Sequence, residues 1–277
     1  MLIHPRTLQQ LESFVAHPSH GLLLLGEAGS GKFYMAEHIA QRLLGVEYRL
    51  QLTVLDGRTC GIEDIREMQK TLHLSVPGKA SVRRVIILRN IDELRHEAQN
   101  ALLKTLEEPP EATLFLATAS RTQHVLSTIH SRMSTISVLS LTKDTLPVEF
   151  VSKYAQKDVD RALLLSGGLP GLLVSILEGD NTHAMTVAID EAKSLLAGTR
   201  YDRLAAIDSL QKNSQLPVPE LLNGLRIVLH AVLVRSLEDK DKRHAAHTRL
   251  RAVFDAIEDL ESGVHTKLVL TRLFYTL

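Results

Sequence analysis

Thiols are almost missing from this chain. Cys60 is its only cysteine, which excludes a four-cysteine zinc module and suits a reducing interior. His73, 13 residues further on, has no cluster of partners around it and reads as an ordinary histidine. Tryptophan is absent, yet the apolar content of 44% is that of a soluble protein with real cores, and nothing suggests disorder. Apolar runs are too short to cross a bilayer, and Met1 to Arg6 lacks signal-peptide organisation, so a cytoplasmic chain without membrane contact is expected. Net charge is absent too: 32 basic and 32 acidic residues cancel, which removes any global field toward nucleic acid. DNA contact would have to be local. Arg83, Arg84, Arg89, Arg95 and Arg121 are scattered and read as solvated surface, while Lys240, Lys242 and Arg243 alternate with Glu238, Asp239 and Asp241 as in a polar loop or helix start. No internal repeat or low-complexity segment is visible.

What the chain does have is a glycine loop. Gly26-Glu27-Ala28-Gly29-Ser30-Gly31-Lys32 has the spacing G-x-x-x-x-G-K, in which backbone N–H groups close around phosphates and the lysine reaches the outer ones. The context fits, with a strand over Gly21 to Leu25 before it and apolar residues at helical spacing from Tyr34 to Leu44 after it. The next position should carry a Ser or Thr hydroxyl for Mg²⁺, and it is Phe33. Nucleotide could still bind weakly, as ATP or ADP, through backbone and Lys32. Mg²⁺ would lack one of its few protein ligands.

The other half of such a site is a strand ending in acidic residues. Val85-Ile86-Ile87-Leu88 has the character of that strand, and it ends in Arg89-Asn90. A cation there opposes a metal. Asp92-Glu93 could supply the acids only if the strand ran on and buried Arg89 or Asn90 in the sheet, which is costly. The plainer reading makes Asp92 an N-cap with Glu93 in the first turn of the following helix.

Three further segments carry a family pattern. Asn100-Ala101-Leu102-Leu103-Lys104-Thr105-Leu106-Glu107-Glu108-Pro109-Pro110, then Leu114-Phe115-Leu116-Ala117-Thr118-Ala119, then Ser131-Arg132-Met133, closely resemble the AAA+ subunits of the bacterial clamp loader. The resemblance covers roughly Gly21 to Arg132; beyond it the chain matches only in size and helical character. It implies that Arg89 and Asn90 stand at the Walker B position and Thr118 at sensor 1. It also implies that Arg132 is an arginine finger acting in trans on a neighbour's ATP. Thr118 could equally just bond the adjacent strand, and Ser131 reads as a turn or cap residue. Gly168-Leu169-Pro170-Gly171 resembles the sensor 2 segment but offers no arginine. Impaired nucleotide elements beside an intact Arg132 look like the delta-prime kind of subunit, one that need not be an ATPase by itself. The implied partners are gamma/tau and delta subunits in a hetero-oligomeric ring, the sliding clamp, and primer-template DNA through the complex.

Along the chain, strand-like segments (21–25, 50–55, 84–88, 114–119, 134–141) alternate with helical ones (from Pro5, then 34–44, 62–73 and 95–107), which predicts an α/β core with a parallel sheet over 1–141. A small helical lid is expected over 142–181, with breaks at Gly167-Gly168 and Pro170-Gly171, and helices continue over 182–277, where the resemblance implies an all-α collar through which subunits would form a ring. Apolar stripes there run Leu221, Leu222, Leu225, Val228, Leu229, Val232, Leu233 and Leu250, Val253, Phe254, Ile257, Leu260. Two competing functions stay open: a working gamma/tau-like ATPase that uses Asp92-Glu93, and a non-catalytic AAA+ adaptor.

Overall fold

Strands written as unbroken apolar runs need cover on both faces, and the computed structural model has that arrangement. It describes residues 2–72, 80–180, 184–212, 216–236 and 238–277. His73 and the expected lid–collar boundary at 181/182 lie outside these residues. The chain forms two compact units, residues 1–141 and 142–277.

In the first unit the order is α1 (Pro5–Ala16), β1 (Gly21–Leu25), α2 (Lys32–Leu44), β2 (Leu52–Asp56), α3 (Ile62–Leu72), β3 (Arg84–Arg89), α4 (His96–Glu107), β4 (Thr113–Ala119), α5 (Ser127–His130) and β5 (Ser134–Ser137). The five strands are all parallel, in the order β2-β3-β4-β1-β5. Alternate residues of the apolar runs serve opposite faces. Leu22, Leu24, Val85, Ile87, Leu114 and Leu116 pack with Phe14 of α1 and Met35 and Ile39 of α2. Leu23, Ile86, Leu88, Phe115 and Ala117 pack with Ile65 and Met68 of α3 and Leu102 and Leu106 of α4. Pro109-Pro110 follow the last helical residue of α4 and stop it, since proline cannot extend the ladder.

The last strand is shorter than the sequence suggests. β5 pairs only with β1, whose final residue Leu25 is in register with Ser137. The last bond to β1 runs from Val138 N–H to the Leu25 carbonyl at 2.7 Å, after which Leu139 N–H turns to Thr7 Oγ1 of α1 at 3.2 Å.

The second unit is helical throughout its described residues: α6 (Val148–Val151), α7 (Gln156–Ser166), α8 (Pro170–Glu178), α9 (Ala184–Ala197), α10 (Arg200–Ala205), α11 (Ile207–Lys212), α12 (Val218–Arg235), α13 (Lys240–Glu261) and α14 (Thr266–Thr276). Only one of the two expected breaks is real. Gly167 ends α7 in the left-handed region, but Pro170 is the first residue of α8, where its fixed φ favours starting a helix. Asp239 caps α13 by accepting from Lys242 N–H at 3.1 Å, so the alternating charges there begin a helix. Leu169 and Leu172 of the lid segment share one core with Leu221, Leu222, Leu225 and Val253. The two apolar stripes are mostly spent on that core, leaving Val232 and Phe254 exposed. Gly224 lets α12 approach α9: a Cβ there would lie 2.4 Å from the Ala188 carbonyl oxygen.

Candidate functional site

Parallel strands bring their C-terminal ends to one edge of the sheet, where loops can converge on a ligand. At that edge stand the loop after β1, Asp56 of β2, Arg89 of β3 and Thr118 near the end of β4, with Asp56 in register with Arg89 and Leu24 with Thr118. The Gly26–Lys32 loop leaves β1 with Gly26 N–H bonded to the Ala119 carbonyl at 3.2 Å. Gly29 (φ 84°) and Gly31 (φ 83°) adopt left-handed backbone that other residues resist, and α2 starts directly after them at Lys32.

Lys32 turns back over the loop. Its Nζ donates to the carbonyls of Gly26 (2.6 Å) and Glu27 (2.8 Å), to Ser120 Oγ (3.2 Å) and to the buried Ser30 Oγ (3.4 Å). Only 7% of the residue is exposed. Burial pushes its pKa down to about 8, against the opposing pull of Asp92 and Glu27. A phosphate arriving at the loop would have to exchange these contacts for its own.

At the next position the Phe33 ring takes the place of a hydroxyl, and the Arg89 guanidinium carbon lies 4.9 Å from its centroid, a cation–π contact. Arg89 Nε lies 3.5 Å from Asp56 Oδ2, and Asn90 Nδ2 donates to Asp56 Oδ1 at 3.0 Å. A divalent cation therefore does not fit: the expected oxygen is a ring, the expected carboxylate is a guanidinium, and Asp56 is tied to both Arg89 and Asn90. Thr118 is 1% exposed and its hydroxyl accepts from Asn90 N–H at 3.0 Å.

Asp92 corrects one expectation. It lies in a single turn over Ile91–Glu93, and α4 begins later, after Arg95, so Asp92 does not cap that helix. Its carboxylate points across to the end of β4, where Oδ2 accepts from the backbone N–H of Ser120 (3.1 Å) and Arg121 (2.9 Å). Oδ1 is buried without a hydrogen-bond partner among the described residues. Glu93 Oε1 takes Arg121 Nη2 at 2.9 Å. Arg121, Arg89 and Arg83, which pairs with Glu111 at 3.2 Å, are thus held by carboxylates of this same chain.

Arg132 sits elsewhere. It precedes β5, whose first residue Ser134 is in register with Leu22 at the start of β1, and its carbonyl accepts from His20 Nε2–H at 2.8 Å. That is the sheet edge opposite the glycine loop, separated from it by the length of β1, about 13 Å at ~3.3 Å per residue. Its Nη1 donates to the Thr128 carbonyl (2.8 Å) and Ser131 Oγ (3.2 Å), and Nη2 pairs with Glu107. Ser131 Oγ also donates to the Thr128 carbonyl at 3.0 Å, a turn bond. The side chain is 30% exposed.

Sequence reading missed Asp56, Ser120 and Glu107, which orient Arg89, Lys32 and Arg132 respectively. Asp56 carried a signal, an acid ending a strand, and Glu107 sat within the quoted family segment; Ser120 carried none. Cys60 gathers no metal set: no group of three His, Cys, Asp or Glu among the described residues could hold an ion. Burial, with Asp64 and Asp56 nearby, pushes its thiol pKa up. No helix among the described residues is long and apolar enough to cross a membrane.

Comparison with known proteins bears on the fold and the kinship of the chain. Residues 49–142 match the family described as DNA polymerase III, delta subunit. DNA polymerase III subunit delta' of Escherichia coli is 29% identical over 234 residues, 78% of this chain and 69% of that one. The replication factor C small subunit of Haloarcula marismortui is 29% identical over 187 residues, 66% of this chain but only 55% of its relative. Among solved structures, a gamma subunit-related protein of DNA polymerase III from Thermotoga maritima aligns over 97% of both chains with TM-score 0.59 and 16% identity. RuvB from Thermotoga maritima aligns over 99% of this chain and 85% of its own with TM-score 0.51 and 13% identity. At such identities these structures establish the AAA+ P-loop fold alone. By sequence, the chain is similar to DNA polymerase III subunit delta' and to replication factor C small subunits, clamp-loader proteins on the same AAA+ fold.

Proposed function

We propose that this chain is a delta-prime-like subunit of a DNA polymerase III clamp loader. In this reading it is a cytoplasmic, non-hydrolysing member of a hetero-oligomeric ring with gamma/tau and delta subunits. It helps place the sliding clamp on primed DNA while other subunits hydrolyse ATP. A clamp-loading role is supported by the kinship with DNA polymerase III subunit delta' and with replication factor C small subunits. Residues 142–181 serve as lid and 182–277 as collar, where Val232 and Phe254 remain for contact with neighbours.

The observation that supports the reading is the separation of two sets of residues on one sheet. The edge with the glycine loop holds Phe33 and Arg89 where metal ligands belong, while Arg132 stands at the opposite edge. Arg132 cannot reach a phosphate on its own loop, so any phosphate it stabilises belongs to another subunit. A trans-acting arginine is typically worth about 10³ to 10⁵ in rate. The gamma/tau-like alternative loses support from Asp92 and Glu93, which are engaged by Ser120 N–H, Arg121 N–H and the Arg121 side chain.

The test is a reconstituted complex with Arg132→Ala at matched assembly, read by DNA-stimulated ATPase and clamp loading. Partial loss of hydrolysis and a larger loss of loading are expected. The pairing of Arg132 with Glu107 favours the adaptor reading as the second choice, and unchanged rates would leave that reading standing.

A further inference from the structure

The edge that rejects a metal still holds positive charge, in an unusual place. Arg89 belongs to the strand end where an acid is expected, and its guanidinium is braced by the Phe33 ring at 4.9 Å and by Asp56 at 3.5 Å. Both braces leave its terminal Nη groups without an acceptor among the described residues, and the side chain is 44% exposed. Lys32 differs, because its donors are already engaged by Gly26, Glu27, Ser30 and Ser120.

We propose that the Gly26–Lys32 loop is a metal-free polyphosphate site in which the Arg89 guanidinium supplies the charge that a divalent cation supplies in an intact P-loop. The inference rests on the reading that the loop still takes a nucleotide. Phe33 follows Lys32 directly, so a guanidinium over its ring lies beside the position from which a metal ligand would project. A planar, forked donor set matches phosphate oxygens and remains charged at any working pH. Mg²⁺ brought in on a nucleotide would meet that cation and, at position 33, a ring in place of a hydroxyl. Free ATP or ADP is therefore the preferred ligand, and Mg²⁺ competes by chelating it. Lys32, pushed to about pKa 8 by burial, regains its full proton beside a phosphate, so binding near pH 8 takes up protons.

The experiment is calorimetric titration of the full chain with ADP and with ATP, once in EDTA and once in millimolar Mg²⁺, for wild type and Arg89→Ala. Wild type is expected to bind at least as tightly in EDTA as in Mg²⁺. Arg89→Ala is expected to weaken binding in EDTA roughly 10- to 100-fold, the range for hydrogen bonds to a charged group. Wild-type binding that requires Mg²⁺ overturns the metal-free assignment and leaves the nucleotide reading intact, as does an unchanged affinity in a folded Arg89→Ala. Absence of binding by wild type at millimolar nucleotide in both conditions overturns both. The wild-type comparison needs no variant to fold.

Discussion

The Asn90 backbone N–H donates to the Thr118 hydroxyl at 3.0 Å, joining the end of β3 to β4 at a point buried from solvent. Asn90 stands just past the end of β3 with left-handed backbone (φ 52°), and its N–H takes this side-chain acceptor. The bond ties the residue beside Arg89 to the position proposed as sensor 1. A hydroxyl with this structural duty can still donate its own hydrogen elsewhere.

Thr118→Val should therefore destabilise the protein by about 1–3 kcal/mol, the cost of leaving a buried donor unpaired. Thr118→Ser should recover most of that loss. Chemical denaturation of both variants is the measurement; a Val variant as stable as wild type would mean that Asn90 N–H finds another acceptor.

The sheet was legible because two-sided burial writes itself as runs such as Val85–Leu88 and Leu114–Ala119. The loop was legible because phosphate cradling fixes glycine spacing. Arg89 and Phe33 could each be named as departures, but not as a contact: their meeting depends on strand order, which brings residues 56 positions apart together. Asp92 was misread for a related reason. A local cap and a long-range acceptor of Ser120 and Arg121 N–H look identical in sequence, and only the adjacency of β3 and β4 separates them. The apolar stripes announced helices yet could not say how much of each faced its own core.

Lys32 gives a pH signature. Its folded-state pKa of about 8 lies below the ordinary 10.5, with burial as the main cause. The folded protein thus loses this proton before the unfolded chain does. Stability from this group rises as pH climbs from about 8 to 10.5, and the desolvation cost is carried in full below 8, amounting to about 3 kcal/mol at most. Denaturation midpoints between pH 7 and 10.5, compared with Lys32→Met, should show an upward slope that the variant lacks. Parallel pH profiles would contradict the assignment.

Gly224 tests the helical unit. Any side chain there drives a Cβ to 2.4 Å from the Ala188 carbonyl oxygen, so α9 and α12 must separate. Gly224→Ala should cost about 1–3 kcal/mol despite alanine's better helix propensity. Hydrogen exchange should quicken in α9 and α12 while β1, β3 and β4 keep their protection. Loss of protection in the strands at the same rate would mean that both units open together.

Arg132 allows a sharper test than truncation. Its ion pair with Glu107 is partly exposed, with side chains 30% and 49% accessible, so Arg132→Lys and Arg132→Ala should each change stability by less than about 1 kcal/mol. Catalysis should respond on a different scale. If the guanidinium stabilises charge on a neighbour's transferring phosphoryl group, its loss costs on the order of 4 to 7 kcal/mol at that interface. Lysine should not restore the rate, because an ammonium lacks the planar fork that spans phosphate oxygens. In a ring with several ATPase sites, only the one that Arg132 faces would be hit, so total ATPase should fall only in part. The check is single-turnover ATP hydrolysis in reconstituted complexes with equal assembly by size exclusion. A lysine variant that hydrolyses like wild type would reduce Arg132 to a positive charge at the subunit boundary, held in place by Glu107.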